Sequence, residues 1–183
     1  MKKLFTILLT IFVSMNLQAQ INIYSHRHYE SDKILFKKFT DQTGIKINVI
    51  KGSADQLIER LVSEGNNSPA DILLTVDAGR LYRAKAAGIL QPVESKKIYE
   101  NVPPSMRDPD GHWFGLTVRA RVLVYSKERV KPSQLSTYED LATRKWRGKI
   151  AVRSSSNIYN QSLMASMIAA NGSRKALSWA KSV

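Results

Sequence analysis

Apolar and polar residues alternate in two rhythms along the first half of the chain. Ile21, Ile23 and the ring of Tyr24 are strand formers, and Ile34, Leu35, Phe36 and Phe39 then recur at helical spacing. Gly44 stands where a helix would end, since glycine accepts the left-handed conformation common there. Ile45 to Ile50 returns to strand alternation. Ser53-Ala54-Asp55-Gln56 opens a second helical segment carrying Leu57, Ile58, Leu61 and Val62, and Gly65 to Pro69 ends it. Asp71 to Val76 is a nearly continuous apolar run and predicts a strand buried on both faces. Asp77 can cap the helix of Leu81, Tyr82, Ala84, Lys85 and Ala86, which stops at Gly88. Strands separated by helices imply a parallel sheet with right-handed crossovers.

From Leu90 to Gly111 the prolines at 92, 103, 104 and 109 and the Asp110-Gly111 pair predict an irregular connection. Trp113 to Ser126 then reads as a long strand, with Arg119 and Arg121 on one side and Val118, Ala120 and Val122 buried on the other. Ser136 and Glu139, three apart, match a capping box that opens a short helix, and Trp146 to Val152 predicts another strand. Asn157 to Gln161 is a turn into the helix of Leu163, Met164, Met167 and Ile168, and a further helix begins near Arg174. The pattern divides into one α/β region over residues 20–118 and the start of a second over 119–183.

Ahead of these elements, Met1-Lys2-Lys3, the apolar run Leu4 to Val13 and the polar stretch ending at Ala19 read as a cleaved secretory leader over residues 1–19. No later apolar run reaches the length of a membrane span. The chain of 183 residues contains no cysteine, which excludes disulfides and thiolate metal sites and leaves His, Tyr and carboxylate as possible metal ligands. The formal net charge of +13 would suit nucleic acid, but the basic residues are scattered and no aromatic-basic nucleic-acid motif occurs. A basic exported protein drawing anionic or anion-carrying ligands fits better.

Chemistry concentrates first in Ser25-His26-Arg27-His28-Tyr29, between the first strand and the first helix. Ligands of open α/β sheets bind outside the carboxyl ends of the strands, so His28 and Tyr29 stand where a ligand would sit. Taken alone, Tyr29 reads more readily as an amphipathic ring at a helix start and His28 as a solvated imidazole, since short motifs are weak. Tyr159 alone reads as a packed ring entering a helix, and Arg119 as one face of a strand. His26, two residues before His28, is left out as a ligand. His112 beside Trp113 caps a loop, and Met164 and Met167 fill a core.

Four separated stretches, SHRHY, ADILLTVDAGRLYRAKAAGIL, FGLTVRARVLVYS and SSSNIYNQSLMASMIAANG, together resemble periplasmic ferric-iron-binding proteins of ABC transporters across Gln20 to Val183. The resemblance implies an α/β fold: a two-lobed type II periplasmic-binding-protein clamp with mainly parallel sheets, whose second lobe is incomplete in this chain. It implies Fe(III) held between the lobes by tyrosine phenolates and a histidine, with His28, Tyr29 and Tyr159 as ligands and Arg119 supporting a ligand or a synergistic anion such as carbonate. It also implies delivery to a permease in the inner membrane by a periplasmic monomer that is not an enzyme. Fe(III) is small and hard and favours oxygen donors, and it must displace the phenolic proton to bind. The family's adjacent tyrosine pair is missing, for none of the seven tyrosines adjoins another. Two other readings remain at this point: a binding protein for a small anion, served by Arg119 and the helix starts at Ser31 and Asp77, or a truncated remnant without function. A metal-dependent hydrolase using His26 and His28 would lack both an HExxH motif and paired carboxylates.

The leader boundary yields the first expected outcome. Mass spectrometry of the exported protein should find Gln20 at the amino terminus, and retention of Lys2 and Lys3 would indicate an uncleaved anchor instead.

Overall fold

The computed structural model describes residues 19–183, so the expected leader lies outside the described residues except for Ala19. The chain divides into two compact units, one ending at Gly52 and joined by Pro69–Leu74, the other formed by Ser53–Ser68 and Thr75–Val183.

The first unit is a three-stranded parallel sheet in the order β2-β1-β3, with β1 at Gln20–Ser25, β2 at Lys46–Lys51 and β3 at Ile72–Leu74. Helix α1, Glu30–Thr43, links β1 to β2 as the parallel crossover requires. It ends at Gly44, which takes φ 72° and donates its N–H to the Thr40 carbonyl at 2.8 Å. The central strand is the most buried: Tyr24 is fully enclosed, and Ile23 and Ser25 are nearly so. Two expectations are corrected here. Strand β3 is shorter than Asp71 to Val76 and, lying at the edge of the sheet, leaves Ile72 46% exposed instead of burying both faces. The apolar stripe of α1 keeps its helical period, yet Ile34 and Leu35 face outward and no residue of the helix is buried.

The second unit contains α2 (Ala54–Glu64), α3 (Ala78–Ala86), α4 (Lys96–Asn101), α5 (Ile158–Asn171) and α6 (Ser173–Ser182). A capping box formed by Ser53 and Gln56 opens α2. Its buried Ala54, Leu57 and Leu61 and the buried Ala84 of α3 sit between two helices that ion pairs from Asp55 to Arg80 and Arg83 also join. In α5, Met167 is buried as expected of core filler.

The strand expected from Trp113 to Ser126 is absent. Strand residues need a neighbour to take up their backbone hydrogen-bonding groups, and among the described residues this stretch meets only one bridge, Phe114 with Arg107. Over residues 115–126 the chain has no regular structure, and Val118 and Val122, expected to be buried, are 76% and 66% exposed. The strand expected over Trp146 to Val152 is likewise missing. Buried Trp146 instead closes a short 3-10 turn and donates its indole N–H to Asp140 at 3.1 Å. The capping box expected at Ser136 does not form, because Glu139 itself starts a four-residue 3-10 turn and its carboxylate accepts from Asn171. That hydrogen bond lowers the carboxyl's pKa below the ordinary value.

The connection from Leu90 onward is less irregular than its prolines suggest. Ser95 caps the short α4, and the Arg107 guanidinium donates to the carbonyls of Tyr99 and Val102 while lying 4.4 Å from the Tyr99 ring centroid. The Phe114 ring meets Tyr99 edge-on. Gly111 takes φ 75°, and a Cβ there would come within 2.7 Å of the Tyr99 hydroxyl, so only glycine fits this turn. Beside it the buried Asp108 carboxylate accepts from Lys85 at 2.8 and 2.9 Å, from the backbone of His112 at 3.1 Å and from the His112 ring at 3.0 Å. His112 therefore fastens a turn, as its sequence position suggested.

Burial alone would raise the Asp108 pKa, but the hydrogen bonds from Lys85 and His112 and the Lys85 charge outweigh it and hold the carboxyl at about 2. A carboxyl whose folded pKa lies below its unfolded value stabilises the fold above the unfolded pKa and loses that contribution as pH falls toward the folded one. Urea midpoints should therefore drop between about pH 4 and pH 2 in the unmodified chain. In Asp108→Asn the fall over that window should be smaller, and an identical pH profile in both chains would contradict the assignment.

Candidate functional site

The carboxyl end of β1 feeds directly into the first candidate loop. Both neighbouring strands hold it: His26 donates its backbone N–H to Leu74 at 3.0 Å, and Gly52 donates to the Ser25 carbonyl at 3.3 Å. The Ser25 hydroxyl, buried at the strand end, accepts the backbone N–H of Arg27 at 3.1 Å and starts the turn. Arg27 then makes a two-pronged ion pair with Asp32 in the first turn of α1, at 3.0 and 2.9 Å. This pair holds the guanidinium more firmly protonated than an ordinary arginine.

The Arg27 guanidinium lies 5.0 Å from the centroid of the Tyr29 ring. The His28 ring stacks on Tyr29 at 4.9 Å with an interplanar angle of 25°. The structure thus brings His28 and Tyr29 together, both solvent-facing, with Tyr29 about one-third exposed at 37%. Tyr29 is itself the residue preceding the first turn of α1, in extended conformation, so the helix starts at Glu30 and not at Ser31. His26 turns away from this pair, its Nδ1 lying 3.3 Å from the Gly52 carbonyl.

In the second unit, Asn157 caps α5 by accepting the backbone N–H of Tyr159 at 3.0 Å and places that tyrosine in the first turn. Arg119 donates to the Tyr159 hydroxyl at 3.1 Å. Arg121 lies 5.3 Å from the ring centroid and Arg153 5.8 Å, and Arg121 also donates to the Asn160 side chain at 3.2 Å. Asn160 in turn binds the carbonyls of Arg153 and Ser154. Arg119 and Arg121 both reach the first turn of α5, although the strand whose one face they were expected to share does not form.

One turn farther along α5, the Ser162 hydroxyl is 2.8 Å from both carboxylate oxygens of Asp77. Asp77 caps α3 as expected, accepting the Gly79 N–H at 2.9 Å. A Cβ at Gly79 would meet the Ile158 side chain at 3.4 Å, so the starts of α3 and α5 are in contact.

Sequence reasoning missed Arg27, Arg153 and the Ser162–Asp77 contact. The five-residue spacing of Arg27 and Asp32 across a helix start was a usable signal for the first. The partner of Ser162, 85 positions away, is set by folding alone. Among the described residues Asp108, Asp110 and His112 form the one carboxylate-histidine group close enough to hold a metal. The Lys85 ammonium already occupies it, at 2.8 Å from Asp108 and 2.7 Å from Asp110, which assigns the group to stability. The two tyrosine sites offer a different chemistry: phenol oxygens, hard donors of the kind a trivalent cation prefers, an imidazole of intermediate softness beside one of them, and guanidinium charge at each phenol ring.

Residues 67–183 match the family model described as bacterial extracellular solute-binding protein. The chain is 58% identical over 164 residues to iron uptake protein A1 of Synechocystis, covering 90% of this chain and 46% of that protein. A Trichodesmium protein solved in complex with iron and citrate is 57% identical, with a TM-score of 0.85 over 90% of this chain and 52% of that one. The ferric binding protein of Campylobacter jejuni is 46% identical, with a TM-score of 0.83 over 89% and 52%. The chain spans about half the length of these relatives. Its α/β fold with a parallel sheet is that of periplasmic ferric-binding proteins. The matched residues cover well over half the chain, which therefore belongs to the bacterial extracellular solute-binding protein family.

Proposed function

We propose that this chain carries the iron-binding residues of a periplasmic solute-binding component that takes up Fe(III) and hands it to an ABC-transporter permease in the inner membrane. One observation carries the reading: the Tyr159 phenol is hydrogen-bonded by Arg119 and faced by Arg121 and Arg153. A phenol set among guanidinium groups has charge at hand to balance the phenolate that ferric iron creates when it displaces the proton. Tyr29 and His28, at the end of the central strand, are proposed as further ligands, and the lobes are taken as residues 20–118 and 119–183. Relatives named for iron uptake and ferric binding support the assignment of the cargo. The proposed role is binding and release, in keeping with relatives named for iron uptake and ferric binding.

His28, Tyr29 and Tyr159 supply three donors. Three donors leave positions on the ion for water or for an added anion such as carbonate or citrate, and binding by this chain should be weak. The guanidinium groups around Tyr159 also favour a second reading, in which a small oxyanion is the cargo and no iron is needed.

A visible-absorption titration with ferric citrate separates the two. We expect a weak tyrosinate-to-iron charge-transfer band that diminishes in Tyr29→Phe and again in Tyr159→Phe. Tight stoichiometric colour would contradict the incomplete donor set, and unchanged colour in both variants would overturn the ligand assignment. Calorimetric binding of citrate without iron, with no colour on adding iron, would favour the oxyanion reading.

A further inference from the structure

Three features of the first loop meet at one ring. Tyr29 has two flat groups against its ring: the His28 imidazole stacks on it at 4.9 Å, and the Arg27 guanidinium lies 5.0 Å from its centroid. Arg27 is not a loose surface cation. Two hydrogen bonds from its Nε and Nη2 to the Asp32 carboxylate fix the plane of the guanidinium, and both side chains are mostly buried, at 17% and 14% exposure. The backbone of Arg27 is fixed in turn by its N–H bond to the buried Ser25 hydroxyl.

We propose that Arg27, locked by Asp32, is a positioning residue for Tyr29. Its fixed guanidinium holds the ring in one rotamer and so aims the phenol. The consequence for iron rests on the reading of Tyr29 as a ligand given above. A tyrosine side chain without such a neighbour at a solvent-facing helix start would exchange among staggered χ1 wells, and each binding event would have to restrict that freedom. A guanidinium is suited to the task because it is planar, always charged, and can bind a carboxylate with one edge while facing a ring. Lysine, a point charge on a flexible stem, could keep the ion pair with Asp32 but not the fixed plane. Asp32 has a structural task as well, since an acidic side chain in the first turn of α1 favours the helix electrostatically. The experiment must therefore separate ring position from helix stability.

The test uses the 183-residue chain labelled for NMR, with Arg27→Gln, Arg27→Lys, Asp32→Asn and Tyr29→Phe. The readouts are the three-bond couplings that report χ1 of Tyr29, thermal unfolding, and titration with ferric citrate. We expect one dominant Tyr29 rotamer in the unmodified chain and averaged couplings in Arg27→Gln and Asp32→Asn, with Arg27→Lys intermediate. Iron affinity should fall about fivefold in Arg27→Gln, as loss of a cation–π contact at an accessible site would give. Unchanged Tyr29 couplings in Arg27→Gln, whether or not its melting temperature falls, would overturn the proposal and leave the ion pair a helix-start device only. Should Arg27→Gln fail to fold, Arg27→Lys and Asp32→Asn decide by the same couplings. Averaged couplings in the Arg27 variants together with unaltered iron colour in Tyr29→Phe would uphold the ring-positioning role while removing Tyr29 from the ligand set.

Discussion

The burial of Ser25 at the carboxyl end of the central strand is the constraint on which the first candidate site depends. A buried strand end must place every backbone group, and here the neighbours on either side do so, with Leu74 accepting from His26 and Gly52 donating to Ser25. The hydroxyl of the same serine takes the next free N–H, that of Arg27. The turn therefore leaves the sheet on a fixed course, and the four residues that follow are placed by the sheet before any ligand is involved. A parallel sheet whose middle strand comes first in the chain thus sets its first loop between two crossovers, the position where open α/β folds bind ligands.

Charge is distributed differently around the titratable groups of this chain according to their task. The Asp108 carboxylate, which stabilises a turn, is matched directly by an ammonium, and Lys85 fills the space a cation would need. The phenols of Tyr29 and Tyr159 are attended by arginines that face their rings or, at Arg119, hydrogen-bond the hydroxyl. A guanidinium over a ring does not occupy the oxygen's remaining lone pair, and it keeps its charge at any accessible pH. The same basic composition that gives the chain a net charge of +13 therefore serves two local purposes, one closed to a metal and one compatible with it.

Much of the chain from Gln20 to Gly88 was legible because its signals are local. The alternation at Ile45 to Ile50, the glycine at 44, the helix start at Ser53 and the Asp77 cap each depend on a few adjacent residues, and each forms where the pattern places it. The strand at Trp113 to Ser126 was misread because β-propensity describes a residue's fit to a pleated surface that neighbours must supply. With one bridge at Phe114 and no ladder beyond it, Val118, Val122 and Val124 stand exposed despite their preference. Strand β3 shows the same dependence in milder form: its apolar run signalled a strand correctly, but its place at the edge was decided by the order of the sheet. Position at the end of the first strand pointed to His28 and Tyr29 and the family resemblance to Tyr159 and Arg119, while the contact of Ser162 with Asp77 crosses a distance in sequence that no local pattern encodes.

Asp77 shows why a strained residue is kept at such a junction. Among the described residues it is the one non-glycine with positive φ, at 75°, a conformation that costs on the order of 1–3 kcal/mol. Glycine would remove that strain. It would also remove the carboxylate that accepts the Gly79 N–H at the start of α3 and the Ser162 hydroxyl one turn into α5. Hydrogen bonds to a charged group contribute about 1.5–3 kcal/mol each, so two of them outweigh the strain, and aspartate is the better residue even in a backbone suited to glycine. Tyr159 lies one turn before Ser162 on the same helix. The bond that offsets the strain at Asp77 is thus also the one that fixes the helix turn on which Arg119, Arg121 and Arg153 gather around the phenol.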